Sequence, residues 1–345
     1  MSLTPQQALD WLASADLLGL GMAAQSLRNQ KTDPRVATYQ IDRNINYTNF
    51  CTEYCSFCAF YRPMGSQEGY IRSLDEICAK IEEMLALGGT GILLQGGLHP
   101  DLKIEWYEDL LRALRARYPR VHLHSFSAPE IINIAEVSAL SLRDTIARLR
   151  DAGLASIPGG GAEILDDEVR RRISRLKCTA DEWEQVHRTA HALGLRTTAT
   201  MMFGCGEELR HRVNHLERVR RLQEDTGGFT AFIPWIFAPE NTSLGKRVPE
   251  ATAVDYLKTL AVSRLYLDNI DHIQTSWLTP GIKVCQVGLQ FGADDVGSIL
   301  IEENVVYAAG VRNRTNEAEL RRIITDAGYI PAQRDTLYRS YVLKN

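Results

Sequence analysis

The stretch from residue 49 to residue 62 reads NFCTEYCSFCAFYR and places Cys51, Cys55 and Cys58 in the spacing C-x3-C-x2-C. Three thiolates on one tight loop can ligate three irons of a [4Fe–4S] cube and leave the fourth iron without a protein ligand. An open metal position can bind a reacting molecule, whereas ferredoxins that only transfer electrons use four cysteines per cluster. The stretch therefore predicts one catalytic [4Fe–4S] cluster with these three cysteines as its ligands.

Other roles for the same cysteines remain as alternatives. A structural zinc site needs four closed ligands, usually from two C-x2-C pairs. Cys55 and Cys58 form one such pair and the sequence has no second pair, so the fold would have to bring in a histidine such as His99, His122 or His124. Unlinked core thiols are the other alternative. Seven cysteines and an N-terminus, MSLTPQQALD, without an export signal predict a reducing, cytoplasmic location.

The composition is that of an ordinary globular protein, with 345 residues, 45% hydrophobic and 24% charged. The net charge of −4 gives no basic footprint for nucleic acid. No apolar run approaches the ~20 residues that span a bilayer. We therefore expect neither a nucleic-acid nor a membrane partner, and the absence of low-complexity linkers favours one main domain.

Short apolar, β-branched runs alternate with longer amphipathic segments along the chain. Strand-then-helix units in series predict an α/β fold, a (β/α)8 barrel of the TIM type, with an open doubly wound sheet as the alternative. The predicted strands are 40–47, 91–95, 121–126, 154–157, 195–203, 229–235, 270–276 and, most weakly, 287–291. The predicted helices include 74–87, 104–117, 180–193 and 252–267.

Helix start and stop signals support this division. Two helices follow an S/T-x-x-E pattern, which predicts capping boxes at Ser73 and Thr179. Gly88, Gly153 and Gly194 follow helical segments, where a left-handed residue is expected. We expect residues 1–36 to form a helical extension, 37–312 the barrel, and 313–345 a tail with a closing helix at 317–327.

Glycine-rich loops follow the predicted strands at the end where barrel enzymes react. The cysteine loop follows strand one, Gln95-Gly96-Gly97 ends strand two, Ser127 follows strand three, and PGGGAE (158–163) follows strand four. None of these is a dinucleotide or phosphate-binding motif. Because they converge beside the cysteines, they predict a ligand pocket at the mouth of the barrel.

Several segments of the chain resemble those of a known family. The segments DRNINYTNFC, LLQGGLHPDLKIEWYEDLLR, IPGGGAEIL, GLRTTATMMFG and GGFTAFIPWIFAPENT resemble the radical S-adenosylmethionine (SAM) superfamily and, within it, the cyclic dehypoxanthinyl futalosine synthases. The resemblance spans roughly residues 37–310. The aminofutalosine synthases and the tyrosine-using subunits of F420-precursor synthase are alternatives inside the class. Outside it, the alternatives are an iron–sulfur electron-transfer protein, which would need a fourth ligand, and a barrel hydrolase working without iron.

The resemblance implies a reaction and its partners. Flavodoxin or ferredoxin would supply one electron for SAM cleavage to a 5′-deoxyadenosyl radical. That radical would take the C4′ hydrogen from the ribose of dehypoxanthine futalosine, and the resulting C4′ radical would add to the attached benzoate ring. Loss of a proton and an electron would restore aromaticity, in the futalosine route to menaquinone. The protein would position the reactants and exclude water.

The resemblance also implies roles for residues beside the cluster: Phe57, Gln95, Gly96, Gly97, Ser127 and Glu163. Phe57 would pack against the cluster, unless it is an ordinary core aromatic. Gln95 and its two glycines occupy the place where the superfamily binds the methionine amino group. Ser127 and Glu163 would bond the carboxylate and ribose hydroxyls of SAM, although Glu163 could instead be a helix-capping carboxylate.

The sequence specifies the residues that bind the substrate and transfer protons less closely than those beside the cluster. The benzoate requires a cation, and Arg62 and Arg43 are candidates by position. Cys205 stands where the family typically has histidine, as Cys205-Gly206-Glu207 rather than His-Val-Glu, and is expected to line the substrate cavity. The proton-acceptor candidates are Glu207, Asp294, His272 and His99. The basic run 170–177 is expected to be a solvated helix face.

Overall fold

The computed structural model describes residues 3–344 as a series of strand–helix units. The first half contains α1 (Pro5–Ala13), α2 (Leu17–Lys31), β1 (Val36–Gln40), β2 (Asp42–Asn46), α3 (Leu74–Ala86), β3 (Gly91–Gln95), α4 (Ile104–Arg117), β4 (His122–Ser125), α5 (Ala128–Val137), α6 (Leu142–Ala152), β5 (Ser156–Ile157) and α7 (Asp167–Ile173). The second half contains α8 (Ala180–Ala192), β6 (Arg196–Phe203), α9 (Leu209–Thr226), β7 (Phe229–Ile236), α10 (Ala253–Tyr266), β8 (His272–Ile273), α11 (Ile282–Gly288), β9 (Asp295–Ser298), α12 (Val305–Ala308), α13 (Glu317–Asp326), β10 (Ile330–Arg334) and β11 (Tyr341–Leu343).

The strands form a curled parallel sheet in chain order, β2-β3-β4-β5-β6-β7-β8. A second sheet, β11-β10-β1-β9, lies beside it and meets β8 through a parallel bridge between Gln274 and Asp295. Because β1 leads directly into β2, strand β9 links the last strand of the large sheet to the first. The predicted α/β barrel is confirmed.

Alternation along the strands separates the inside of the barrel from the outside. Leu93 and Gln95 of β3, and Thr198 and Thr200 of β6, line the central cavity, while their neighbours face the surrounding helices. All parallel strands end at the same edge, so the loops that follow them share one mouth. The cysteine loop follows β2 and therefore lies at this mouth.

The eighth strand lies further along the chain than predicted, so the prediction of a strand at 287–291 is wrong. Residues Ile282–Gly288 form α11, and Leu289 is buried beneath the turn that follows. A short apolar run fits a buried helix end as well as a strand. The strand is β9, in which Asp295 is buried against Arg334, a partner that no local pattern indicates.

The segment after α13 adds two strands that were not predicted. Strand β10 pairs in parallel with β1, with Val36 opposite Ile330, and β11 pairs antiparallel with β10. This segment brings Arg334, Thr336 and Tyr338 to the cavity. The cavity therefore has a floor made by the end of the chain, opposite the mouth.

Helix boundaries follow the signals in the sequence. Both predicted capping boxes are present, Ser73 with Glu76 and Thr179 with Glu182. Gly88, Gly153 and Gly194 all have positive φ at the ends of helices. Helices α1 and α2 pack on the outside, against α9 and α10. Within residues 3–344, no helix is long and apolar enough to cross a membrane.

Candidate active site

A cavity of about 440 Å³ runs from the mouth into the barrel. Cys51, Cys55 and Cys58 line it at the mouth, together with Phe57. A cavity of this size suits a small-molecule ligand. The sequence therefore correctly places the three cysteines beside a ligand-sized space at the catalytic end of the barrel.

The cysteine loop is held by its backbone. The N–H of Cys51 donates to the carbonyl of Arg62 at 3.1 Å, and the N–H of Cys58 donates to the carbonyl of Cys55 at 3.1 Å. Burial raises the pKa of the Cys51 and Cys55 thiols, so each keeps its proton until a metal displaces it. Cys51 and Cys55 are buried, and Cys58 is partly exposed.

Arg62 lies beside this loop rather than on the cavity. Its guanidinium donates to the carbonyls of Ala59, Phe60 and Tyr61 at 2.9–3.3 Å and pairs with Glu68 at 2.5 Å. These bonds fix the turn that follows Cys58. The suggested role of Arg62 in binding the substrate stays a prediction. Its observed hydrogen bonds position the loop.

The Gln95-Gly96-Gly97 loop packs directly against the cysteine loop. A Cβ on Gly97 would lie 2.2 Å from the carbonyl oxygen of Phe50 and 2.8 Å from the Cβ of Cys51. A Cβ on Gly96 would lie 2.6 Å from the ring of Tyr47. These contacts require glycine, because only glycine permits so close an approach. The amide of Gln95 lines the cavity and has no hydrogen-bond partner within residues 3–344.

Glu130 joins these loops and was not singled out from the sequence. Its carboxylate accepts hydrogen bonds from the Gly96 N–H at 2.9 Å and the Tyr47 hydroxyl at 2.8 Å. It also accepts from the N–H and hydroxyl of Ser127 at 2.7 and 2.6 Å. The capping pattern from Ser127 to Glu130 was the available signal. Ser127 and Glu130 both line the cavity.

Glu163 and Lys177 form a buried ion pair on the cavity wall. The Nζ of Lys177 lies 2.9 Å from Oε1 of Glu163 and 5.3 Å from the centre of the Phe57 ring. Burial opposes the charge of Lys177, but the Glu163 and Cys55 side chains raise its pKa. Oε2 of Glu163 is buried and has no partner among the described residues, and Glu163 has a positive φ of 39°. An unpartnered carboxylate oxygen in a cavity marks a place for a ligand donor.

The expectation of a solvated basic face at 170–177 is wrong for two of its members. Arg170 is buried and donates to the carbonyls of Ala162 and Cys178, which ties α7 to the loop after β5 and to the segment before α8. Lys177 lines the cavity. Arg171, Arg172 and Arg175 are exposed as expected. The charge run alone does not show which side chains turn inward, because α7 spans only two turns before the chain bends.

The proposed acceptor Glu207 and its neighbour Cys205 lie in the loop after β6, away from the residues that line the cavity. Glu207 accepts from the N–H groups of Gly204 and Cys205, both at 2.8 Å, and pairs with Arg212 at 2.8 Å. Burial opposes its charge, but Arg212 and these N–H groups hold the pKa of Glu207 below its usual value. The Cys205 thiol is buried, 3.8 Å from the carbonyl of Met202. Their suggested roles stay predictions.

Asp294 and His272 lie near the floor, at the start of β9 and β8. Asp294 pairs with Arg264 at 2.5 Å, with His272 at 2.7 Å and with the Ile273 N–H at 2.9 Å. His99 follows β3 and packs edge-on against Phe50, with ring centres 5.7 Å apart. These three are not among the cavity-lining residues, and their roles as proton acceptors stay predictions.

Two cations that line the cavity were not assigned a role from the sequence, Lys177 at the mouth and Arg334 at the floor. Arg43, a candidate for the benzoate, pairs instead with Glu83 and Glu302 outside the cavity. Arg334 pairs with Asp295 and stacks over Tyr338 with its guanidinium carbon 3.9 Å from the ring centre. No local pattern marks Arg334, because it reaches the barrel only through the pairing of β10 with β1.

Comparison with known proteins adds to this geometry. Residues 45–219 match the sequence profile of the radical SAM superfamily, and residues 226–344 match the CofH/MqnC C-terminal region. The chain belongs to the radical SAM superfamily. Membership implies a [4Fe–4S] cluster and SAM as cofactors. As a superfamily member with relatives described as synthases, the protein is an enzyme.

Individual relatives cover nearly the whole chain. A cyclic dehypoxanthine futalosine synthase of Halalkalibacterium halodurans is 47% identical over 97% of this chain and 90% of its own length. A protein of the same name from Streptomyces coelicolor is 44% identical over 99% and 86%. An aminodeoxyfutalosine synthase of Thermus thermophilus is 42% identical over 86% and 81%. The crystal structure of HydG, a maturase of the [FeFe]-hydrogenase, superposes with a TM-score of 0.77 over 98% of this chain and 74% of its own, at 15% identity.

The residues at the mouth fit both cofactors of the superfamily. Three thiols line one side of the cavity, as a cluster with an open iron requires. On the same cavity, the Gln95 amide and Oε2 of Glu163 have unfilled hydrogen-bonding capacity. Such groups suit the amino and hydroxyl donors of SAM.

Proposed function

We propose that this protein closes dehypoxanthine futalosine to cyclic dehypoxanthine futalosine in menaquinone biosynthesis. The observation that carries the proposal is the pair of relatives with that name, 47% and 44% identical over nearly the full chain. The mouth geometry supports it, because the cysteine loop, the SAM-binding candidates and a small-molecule cavity are contiguous. The seven cysteines, all free thiols, support a cytoplasmic location.

In this proposal Cys51, Cys55 and Cys58 hold the cluster. Gln95, Gly96 and Gly97 meet the methionine end of SAM, and Ser127 and Glu163 meet its carboxylate and ribose. Bound there, the cluster and SAM would supply the one-electron chemistry that removes the C4′ hydrogen of the substrate ribose, with flavodoxin or ferredoxin as the electron donor. Phe57 shields the mouth from water.

The barrel wall then orients the substrate. The cavity continues below the mouth loops, between Leu93, Thr198 and Ile233, so its walls can pack against the benzoate ring. Of the candidates for the benzoate carboxylate, Lys177 and Arg334 line the cavity, whereas Arg62 and Arg43 lie off it. Ring closure requires only that the C4′ carbon and the ring stay in contact while water is excluded.

The test is anaerobic turnover of the reconstituted protein with SAM and a one-electron reductant. Three substrates are offered separately: dehypoxanthine futalosine, 3-[(1-carboxyvinyl)oxy]benzoate, and tyrosine with 5-amino-6-(D-ribitylamino)uracil. We expect product only from the first. Product from the second or third instead would assign the chain to the aminofutalosine synthases or to the tyrosine-using enzymes.

A spectrum tests the chemistry class independently. The reduced protein should give an electron paramagnetic resonance signal that changes when SAM is added, because SAM binds the open iron. An unchanged signal would mean a closed, fully ligated cluster and an electron-transfer protein.

A further inference from the structure

A chain of three side chains runs from the cavity toward the floor of the barrel. Nδ1 of His124 lies 2.6 Å from the hydroxyl of Ser156, and the same hydroxyl lies 2.7 Å from Nε2 of His122. His124 lines the cavity. His122 and His124 are two residues apart on β4 and therefore share one face of the strand.

The depth of His124 suits a reacting ring rather than SAM. His124 pairs in register with Leu93, two residues before Gln95 at the mouth. At about 3.3 Å per residue, His124 lies roughly 7 Å below the loops proposed to hold SAM. A substrate whose ribose meets the radical at the mouth would extend its benzoate ring to this level.

The hydroxyl of Ser156 allows the chain to run in either of two directions, which the tautomers of the two histidines decide. A serine carries one hydroxyl hydrogen, so it donates to one imidazole and accepts an N–H from the other. When His124 donates from Nδ1, its Nε2 carries a lone pair. Among residues 3–344 the side chain that bonds His124 is Ser156, at Nδ1, and the backbone of Ser156 also bonds the imidazole. Burial lowers the pKa of both imidazoles, to about 3 for His124 and about 4 for His122, so both are neutral near pH 7.

The outer end of the chain reaches a more polar region. His122 is partly exposed, and the charges of Arg339, Asp335 and Arg115 act on it. Arg339 is 70% exposed at the side chain and Asp335 is 30% exposed. A proton that arrives at His122 can therefore pass to solvent at the floor, at the end opposite the cluster.

We propose that His124 accepts the proton released when the substrate ring regains aromaticity, and that Ser156 and His122 carry it out of the barrel. This inference rests on the proposed cyclisation. After the C4′ radical has added to the ring, the ring C–H bond breaks and an N–H bond forms at Nε2 of His124. The electron pair of the C–H bond stays in the ring, and the one surplus electron leaves to an oxidised external one-electron carrier.

The proton then moves along the chain. The Nδ1 proton of His124 passes to the Ser156 oxygen as the serine hydrogen passes to Nε2 of His122. His122 releases its Nδ1 proton to solvent. After the transfer both imidazoles are neutral again, which agrees with their lowered pKa values.

Other carboxylates on the cavity are less suited. Glu130 has four donors, and Glu303 accepts from Asn44 and two backbone N–H groups, so both are saturated. Glu163 and Glu53 lie at the mouth, beside the cysteines. Asp42 is the rival: it accepts from the Ser298 hydroxyl, and burial raises its pKa to about 6.

The test measures cyclised product per 5′-deoxyadenosine, with substrate deuterated at C4′. In His124→Asn the new amide can still bond Ser156. We expect deuterium to appear in 5′-deoxyadenosine in this variant, whereas cyclised product per 5′-deoxyadenosine should fall at least tenfold. Ser156→Ala should lower the ratio at least threefold, and Ser156→Thr should restore it to within twofold of the parent. His191→Asn is the matched control, because His191 also bonds two hydroxyls, of Thr197 and Thr226, and is not a cavity-lining residue.

Each outcome is decisive. The relay is overturned if His124→Asn makes cyclised product per 5′-deoxyadenosine within twofold of the parent. It is also overturned if Asp42→Asn lowers this ratio and His124→Asn does not. If the parent protein makes no cyclised product, the proposed function fails rather than the relay.

A second measurement does not depend on turnover or on the His124 variant folding. Nitrogen NMR of ¹⁵N-histidine-labelled protein should show an unprotonated Nε2 on His124, with the tautomer shifted in Ser156→Ala. Two protonated nitrogens on His124 would overturn the proposal.

Discussion

The mouth and the floor of the barrel both hold buried charges, but they differ in how those charges are satisfied. At the floor, Asp295 accepts from the guanidinium of Arg334 through both oxygens, and another nitrogen of Arg334 donates to the Gln40 side chain and the Asp335 carbonyl. At the mouth, Oε2 of Glu163 and Oε2 of Glu53 are buried without partners among the described residues. Saturated charges stabilise a fold, whereas unfilled ones mark where a ligand completes the bonding.

The largest expected effect tests the mouth. Replacing any one of Cys51, Cys55 or Cys58 by alanine should remove the cluster and abolish SAM cleavage, because each is proposed to supply an iron ligand. Iron and sulfide content after anaerobic reconstitution, with 5′-deoxyadenosine yield, measures this. The control variants are alanine at the outlying thiols Cys78, Cys178 and Cys285, which should keep full iron content. Loss of the cluster in one of these would contradict the three-ligand site.

The next effect tests the floor. Arg334→Met leaves Asp295, which is 0% exposed, without its cation. We expect the free energy of unfolding to fall by about 3–5 kcal/mol, as for other broken buried pairs. Denaturant titration of the cluster-free protein measures it. Arg339→Met removes an exposed pair with Asp335 and should change stability by about 0–1 kcal/mol. Equal effects of the two variants would show that the floor is not a stabilising network.

A pH titration adds to the comparison Glu302, a carboxylate outside the cavity whose hydrogen bonds are satisfied. Burial opposes the charge of Glu302, but bonds from Lys80, Asn304 and Arg43 lower its pKa to about 2. A lowered pKa in the folded state means stability that is present above about pH 4.5 and is lost as pH falls toward 2. Allowing for partial exposure, we expect Glu302 to contribute on the order of 2 kcal/mol of this loss. Glu302→Gln should flatten the profile in that window. An unchanged slope would mean that these bonds persist in the unfolded chain.

The smallest effect concerns Glu163, whose Oε2 has no hydrogen-bond partner among the described residues. Glu163→Gln keeps the shape but removes the charge, so we expect SAM affinity to fall about tenfold, or about 1.4 kcal/mol. Isothermal titration of the reconstituted protein measures it. Glu82→Gln, which removes a surface carboxylate paired with Arg117, is the control. Unchanged affinity in Glu163→Gln would leave Oε2 as a structural defect rather than a ligand contact.

The sequence predicted those parts of the molecule whose causes are local. The cysteine spacing, the glycines that approach the cysteine loop, and the capping boxes at Ser73 and Thr179 depend on neighbours within a few residues. Strand β9 and the inward-facing Arg170 and Lys177 depend on partners brought by the fold. Of the acceptor candidates, His272 lies within a predicted strand and the others follow one, and neither position shows whether a side chain faces the cavity. His124 lies within a strand, where the alternation that places it inside was visible but was not used.

The pairing of β10 with β1 also has a consequence for the order of folding. Val36 lies opposite Ile330, so the strand that opens the barrel receives a neighbour from almost the far end of the chain. Contacts of such long sequence separation form slowly, because the entropy cost of closing a large loop comes before the contacts can stabilise the chain. During synthesis the cysteine loop leaves the ribosome long before Arg334 does. With the proposed ligand set, the nascent chain therefore carries these three thiols on an unfinished barrel until the C-terminal segment has been added.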